Sequence, residues 1–287
     1  MDHPPPSGLR VGTSSWSSGD WRGRFYPEKA RPETFLEHYA ARFDTVECDA
    51  TFYRIPSPAM VRNWDRRTPS GFLFSAKLPR EITHDRRLED CKDLVREFTG
   101  VMGGLGEKLG PLVAQFPYVA KGRDPEEYAT GDRFRERLRR FLDGWPRELV
   151  LAVEVRNARW LASPLLDLLK ERKVPLVLPA YYTMPGPEKM FAEADADLIT
   201  GDRVYVRFLG DHKRMDRLVA KLRAEGKRRA DWSEPAENRD EEMRRWARVL
   251  RKQAGTDRTV LAYFNNHYAG FGPGSAERFL EIWREEA

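Results

Sequence analysis

Apolar and polar positions alternate along this chain with two periods that take turns, and the turn-taking is itself the main signal. Short apolar, β-branched runs read as strands at residues 9–16, 45–53, 72–77, 112–116, 149–155, 176–179, 204–209 and 260–264. Between them, apolar residues recur at helical spacing. Pro32 opens a helix carrying Phe35, Leu36, Tyr39 and Phe43 on one side, and further helices are predicted over 58–67, 89–105, 132–142, 164–172, 237–252 and 275–283. Strand 6 is followed by a short irregular crossover. Near-continuous apolar strands separated by amphipathic helices imply a parallel sheet covered by helices. Eight such units, with no glycine-rich fingerprint opening the first helix and no break in composition, predict an α/β fold: a single (β/α)8 TIM barrel over residues 9–287, preceded by a flexible tail at 1–8.

Composition narrows the class without changing the fold. The 287 residues, 40% of them apolar, can bury a sizeable core without disulfides. Two cysteines, a start with neither a basic nor an apolar leader segment, and no apolar run long enough to span a bilayer predict a cytoplasmic protein with no membrane partner. The net charge of +5 is unevenly placed, because the window 212–229 holds eight cations against Asp216 and Glu225. Such a run reads first as a solvated helix with a charged face, and second as a footprint for nucleic acid.

Strand parity gives the chemistry. In a barrel the reacting groups stand at the carboxyl ends of strands, and alternate side chains point inward. Strand 2 puts Glu47, Asp49, Thr51 and Tyr53 on one face, with Cys48 toward the helices as a buried, inert thiol. Inward positions further round are Lys77 on strand 3, Gln115 on strand 4, Glu154 and Arg156 on strand 5, Tyr205 and Arg207 on strand 7, and Tyr263 and Asn265 on strand 8. So many polar groups converging from different strands imply a site, because apolar layers would fill a barrel at lower cost. Glu154, Glu47 and Asp49 are candidate general acids or bases, and Lys77, Arg156 and Arg207 candidate anion ligands. A metal held by the carboxylates with His84, Asp85 or His267 is disfavoured: no HxxxH or CxxC pair exists, and three cations compete for the same carboxylates. No cofactor or oligomeric state is specified. The stretch 270–275, ending at Ser275 as an N-cap, is a weak candidate phosphate loop.

These residues also fall into ordered motifs: Gly12-Thr13-Ser14-Ser15-Trp16, Val46-Glu47 with Thr51-Phe52-Tyr53, Lys77 with Ile82-Thr83-His84, Gln115-Phe116-Pro117, Val153-Glu154-Val155-Arg156 with Trp160, Tyr205-Val206-Arg207 with Gly210, and Phe264-Asn265-Asn266. In this order, from about residue 9 to 285, the chain resembles the YecE-like family, a TIM-barrel domain of unknown function. The resemblance implies the barrel and marks Trp16, Tyr53 and His84 as additional candidate substrate contacts, but brings no reaction. The chain departs from the family pattern at Asp49-Ala50, where Asn-Ser is usual, at Leu209, where His is usual, and at Tyr181, in a segment whose usual acidic residue is missing. Two readings follow. The first is an enzyme using hydrolase-like acid–base chemistry, with isomerase or lyase next, on a small phosphate-bearing or other anionic substrate at the carboxyl mouth. The second is a nucleic-acid-binding or nuclease-like protein using 212–229, or a barrel that binds a metabolite without turnover.

Overall fold

A computed structural model describes residues 8–194, 197–254 and 257–286. Most of the predicted tail, residues 1–7, lies outside the described residues. Eight strands are present: β1 (Leu9–Thr13), β2 (Thr45–Cys48), β3 (Leu73–Lys77), β4 (Leu109–Gln115), β5 (Leu151–Glu154), β6 (Val177–Tyr181), β7 (Arg203–Gly210) and β8 (Thr259–Phe264). Every ladder is parallel, in two four-stranded runs ordered β1-β8-β7-β6 and β2-β3-β4-β5. The two runs curl into one barrel closed by two seams. At the β5/β6 seam, the Val153 amide donates to the Pro175 carbonyl at 2.9 Å. At the β1/β2 seam, the Tyr39 hydroxyl stands in for a ladder: it accepts from the Thr13 amide at 2.8 Å and donates to the Thr45 carbonyl at 3.0 Å. Gly12 permits this approach, since a Cβ there would lie 2.2 Å from the Thr45 oxygen.

The helices form where the 3.6-residue period predicts, and their ends follow local chemistry. Helix Asp132–Asp143 buries Phe134, Leu138, Phe141 and Leu142 on one stripe, with its arginines on the other side. Helix Pro58–Arg66 begins with Ser57 accepting from the Met60 amide and Pro58 at the first position. The crossover after β6, expected to be irregular, contains helix Pro187–Glu193, and the basic window contains helix His212–Ala224, capped by Asp211. The last helix starts earlier than predicted. It spans Gly272–Glu285, the Gly272 amide is taken by Asn266 Oδ1 at 2.9 Å, and Ser275 lies inside it, donating to the Phe271 carbonyl instead of capping. That helix start is buried, so the 270–275 stretch offers no open phosphate loop.

The main core lies between barrel and helices, and a second, smaller apolar cluster fills the barrel itself: Val113, Ala152, Val177, Tyr205, Leu261 and Tyr263. Inward residues become more polar toward the carboxyl end. On β3 they run Leu73, Ser75, Lys77; on β4 Val113, Gln115; on β5 Ala152, Glu154; on β7 Tyr205, Arg207. The middle of the barrel is tied by hydroxyls, with Tyr263 Oη 2.7 Å from Thr45 Oγ1 and 3.2 Å from Ser75 Oγ. Each of these three hydroxyls thereby has a partner, and the charges above rest on a satisfied layer. Val46, Cys48, Phe74, Val153 and Val155 join the outer core, as parity predicts. Cys48 is the inert thiol expected, its pKa pushed up to about 12 by burial.

Candidate active site at the carboxyl mouth

Arg207 organises the site. Its side chain is fully buried, and its guanidinium donates to Glu47 Oε1 from Nε (2.9 Å) and Nη2 (2.7 Å), to Glu154 Oε2 from Nη1 (2.5 Å), and to Asp49 Oδ1 from Nη2 (3.1 Å). Burial works against its charge, but three carboxylates outweigh burial and hold it ionised. The sequence reading expects an anion ligand here, whereas four of the five Arg207 N–H groups are taken by protein carboxylates, which makes it the strut of the site.

The two buried glutamates sit in opposed environments. Burial alone would raise Glu154, yet Arg207, Arg156 and Lys77 together hold its carboxyl at about 2. Glu47 is raised, with burial first and Asp49 adding to it, against the pull of Arg207. Tyr205 Oη donates to Glu47 Oε2 at 2.6 Å. Neither glutamate is exposed, and both are engaged by Arg207, so these two candidate acids or bases lie beneath the opening, Glu154 ionised at neutral pH.

Three groups do face the opening. Arg156, with its side chain 16% exposed, donates from Nε to Glu154 Oε1 at 2.9 Å and lies over the Tyr181 ring at 4.5 Å. Its two terminal nitrogens have no protein partner among the described residues. Lys77 Nζ lies 3.3 Å from Gln115 Oε1, 3.8 Å from Asp49 Oδ1 and 4.2 Å above the Phe52 ring. Burial draws its ammonium below the ordinary range, against Asp49. Asp49, 27% exposed at its side chain, is the most accessible of the three carboxylates. Gln115 is held in turn by donation to the Phe116 carbonyl at 2.7 Å.

Other expected contacts lie elsewhere. β2 ends at Cys48 and continues as a tight turn, Asp49–Phe52. The alternation fails there: Phe52 turns toward Lys77, and Tyr53, placed in the mouth by parity, is 82% exposed. Trp16 packs edge-on against Trp64 (5.3 Å) and Phe74 (6.1 Å), on the helix side of the sheet. Asn265 caps helix Asn266–Ala269 and accepts from the His267 amide, which holds the rim and does not extend into the ionic cluster. His84 lies in a helical turn after β3, its ring 5.0 Å from Phe52, with its pKa lowered to about 4 by burial and by Lys77, Arg80 and Arg156. Phe52 and Tyr181 were not singled out as site residues. Tyr181 was legible from the parity of β6, while Phe52 carries no sequence signal because the turn that aims it breaks the period of two. Among the described residues no group of three or more His, Cys, Asp or Glu is disposed to hold a metal.

The motif order found in the sequence has its counterpart in known proteins. A family model described as "Protein of unknown function DUF72" matches residues 10–287. The chain belongs to the DUF72 family. UPF0759 protein YecE of Escherichia coli (strain K12) is 33% identical over 155 residues, a match covering 54% of this chain and 51% of that protein, about half its length. UPF0759 protein YunF of Bacillus subtilis (strain 168) is 22% identical over 285 residues, covering 96% of this chain and 94% of that one. A DUF72 family protein from Thermotoga maritima superposes with a TM-score of 0.70 at 25% identity over 96% of this chain and 98% of its own. One from Enterococcus faecalis gives 0.67 at 20%, over 96% and 95%, and speaks to the fold alone. Within this DUF72 chain, Asp49 stands where the resembled pattern carries Asn, and it supplies the third carboxylate to Arg207.

Proposed function

We propose that this DUF72 protein is an enzyme that binds a small anionic substrate at the carboxyl mouth of its barrel and works by proton transfer, most simply in a hydrolysis. The observation that carries this is Arg156: anchored by Glu154 and Tyr181, it keeps both terminal nitrogens unspent, beside Lys77 and Asp49. An anion takes those nitrogens, in the planar fork that suits a carboxylate or phosphate. Asp49, the carboxylate that faces the opening, accepts the proton of an attacking water or of the substrate, and Lys77, with its ammonium easier to deprotonate than usual, returns one to the leaving group. Glu154 and Arg207 position these groups through their ion pairs. Two buried, unpaired cysteines fit work in the reducing cytoplasm.

The test is a rate assay over small phosphate esters and other anionic esters, with p-nitrophenyl phosphate as the first probe. Asp49→Asn and Lys77→Met are expected to lower kcat by about 10²–10⁴-fold, with circular dichroism at the assay temperature checking that each variant is folded. Binding of anions with no turnover across the panel would reduce the mouth to a binding site.

A further inference from the structure

Beside the mouth lies a second concavity, about 430 Å³, between the segments that follow β3 and β4. Five arginines line it, Arg80, Arg87, Arg123, Arg133 and Arg137, against two acidic residues, Asp124 and Glu127. Both acids are already engaged by Arg133, and Arg80 pairs with Asp85 at 3.2 Å. Arg87, Arg123 and Arg137 have no carboxylate partner among the described residues. Like charges gathered in a recess repel, and a recess focuses their field on whatever enters. Arg87 is further constrained, because it and Leu88 and Asp90 adopt left-handed φ angles of 51°, 73° and 48°, with Leu88 buried beneath. Such backbone is costly for non-glycine residues and is held here by packing.

His84 joins this cleft to the mouth. It lines the cleft, and its ring meets Phe52, the ring that lies under the Lys77 ammonium. At neutral pH its lowered pKa leaves it uncharged, so it can donate or accept one hydrogen bond without adding to the positive field. Tyr118 offers a 45% exposed ring along the same wall. The volume suits a small organic molecule and exceeds what a lone ion needs.

We infer that the cleft is a phosphate subsite of the same active site. The substrate carries two anionic ends: a phosphate monoester held by Arg87, Arg123 and Arg137, and a second anionic group, carboxylate-shaped, on the terminal nitrogens of Arg156. This rests on the mouth being the reacting centre, and it names the substrate class as a phosphorylated acid. Three cations without partners supply the charge a phosphate dianion requires, whereas the single planar fork of Arg156 matches a carboxylate.

The experiment titrates inorganic phosphate into the full chain by calorimetry at constant ionic strength. It compares the unaltered protein, the double variant Arg123→Gln/Arg137→Gln, its conservative counterpart Arg123→Lys/Arg137→Lys, and Arg156→Ala. The expected result is a phosphate affinity lowered at least tenfold in the glutamine variant, partly kept in the lysine variant, and lowered less in Arg156→Ala than in the glutamine variant. Neither arginine of the double variant has a partner to strand, so melting temperatures are expected to agree, and the lysine pair covers the case in which they do not. Affinity lost only in Arg156→Ala overturns the cleft and leaves the mouth standing. Equal affinity in all four, or none in the unaltered protein, also overturns the cleft, and the mouth then stands or falls on turnover alone.

Discussion

Two regions of this molecule are rich in charge, and they use it in opposite ways. The crossover after β7 holds most of the excess cations, and five of the eight are answered by carboxylates: Arg214 by Glu237, Arg223 by Asp231, Lys221 and Lys227 by Glu225, and Arg229 by Glu28. Arg228 is buried and donates to backbone carbonyls of Glu234, Ala230 and Gly270. The five ion pairs are surface pairs between a helix and loop and neighbouring carboxylates, the pattern of a solvated charged face. The mouth holds fewer charges, three of each sign, but they come from four different strands or their ends and are largely removed from water. Exposed pairs are screened and worth little, whereas each buried charge depends on the others for its solvation. Counting charges along a chain therefore does not show which of them are removed from water.

Breaking each region in turn sharpens the contrast. Replacing Arg207 by Ala leaves Glu47, Glu154 and Asp49 facing one another in a dry barrel, and the expected loss is about 3–5 kcal/mol in urea unfolding. A loss below about 1 kcal/mol would mean that water enters the cluster and solvates it. The next effect is in pH. The Glu154 carboxyl is held at about 2 in the folded chain against an ordinary 4.5, so the unfolded chain takes up its proton first. Its contribution is fully present above pH 4.5 and is lost as pH falls from there toward 2, on the order of 3 kcal/mol. Glu47, whose pKa is raised, works in the opposite sense, since its protonation on acidification favours the folded chain. In Glu154→Gln the urea midpoint is expected to fall less steeply between pH 4.5 and 3 than in the unaltered protein. An unchanged slope would assign the acid sensitivity to other carboxylates. Smallest of all is the crossover: Lys227→Ala or Arg223→Ala is expected to leave the urea midpoint nearly unchanged, with added salt erasing what difference there is. A larger, salt-resistant effect in either would place that region with the mouth and not with the surface.

The facing of most side chains at the mouth is legible in the sequence. Glu47, Lys77, Gln115, Glu154, Arg156 and Arg207 are inward or terminal on their strands as the period of two requires, and the same rule sent Cys48 and the valines of β5 outward. The rule failed at the far end of the turn Asp49–Phe52 that follows β2, which sends Phe52 inward and Tyr53 out to solvent. It also failed for Trp16 and Asn265, which lie beyond the last paired residues of β1 and β8. Alternation is enforced by the ladder, and where the ladder stops the side chains answer to local turns and caps.

What the sequence determined alone is the set of elements, their parallel order, and the face on which each strand residue lies, because these follow from local periodicity and from the need to bury one face of every element. What it could not determine is which charged groups would answer which. Arg207 and Arg156 look alike in sequence, each inward near the end of a barrel strand, yet one is spent on three carboxylates and the other keeps its terminal nitrogens open. The same holds for Arg87, which follows β3, and for Arg123 and Arg137, which follow β4, and which line one recess only when those two segments meet. Pairing among charges depends on distances across the barrel of a few ångströms and on the water left between them, and those are properties of the closed tertiary structure.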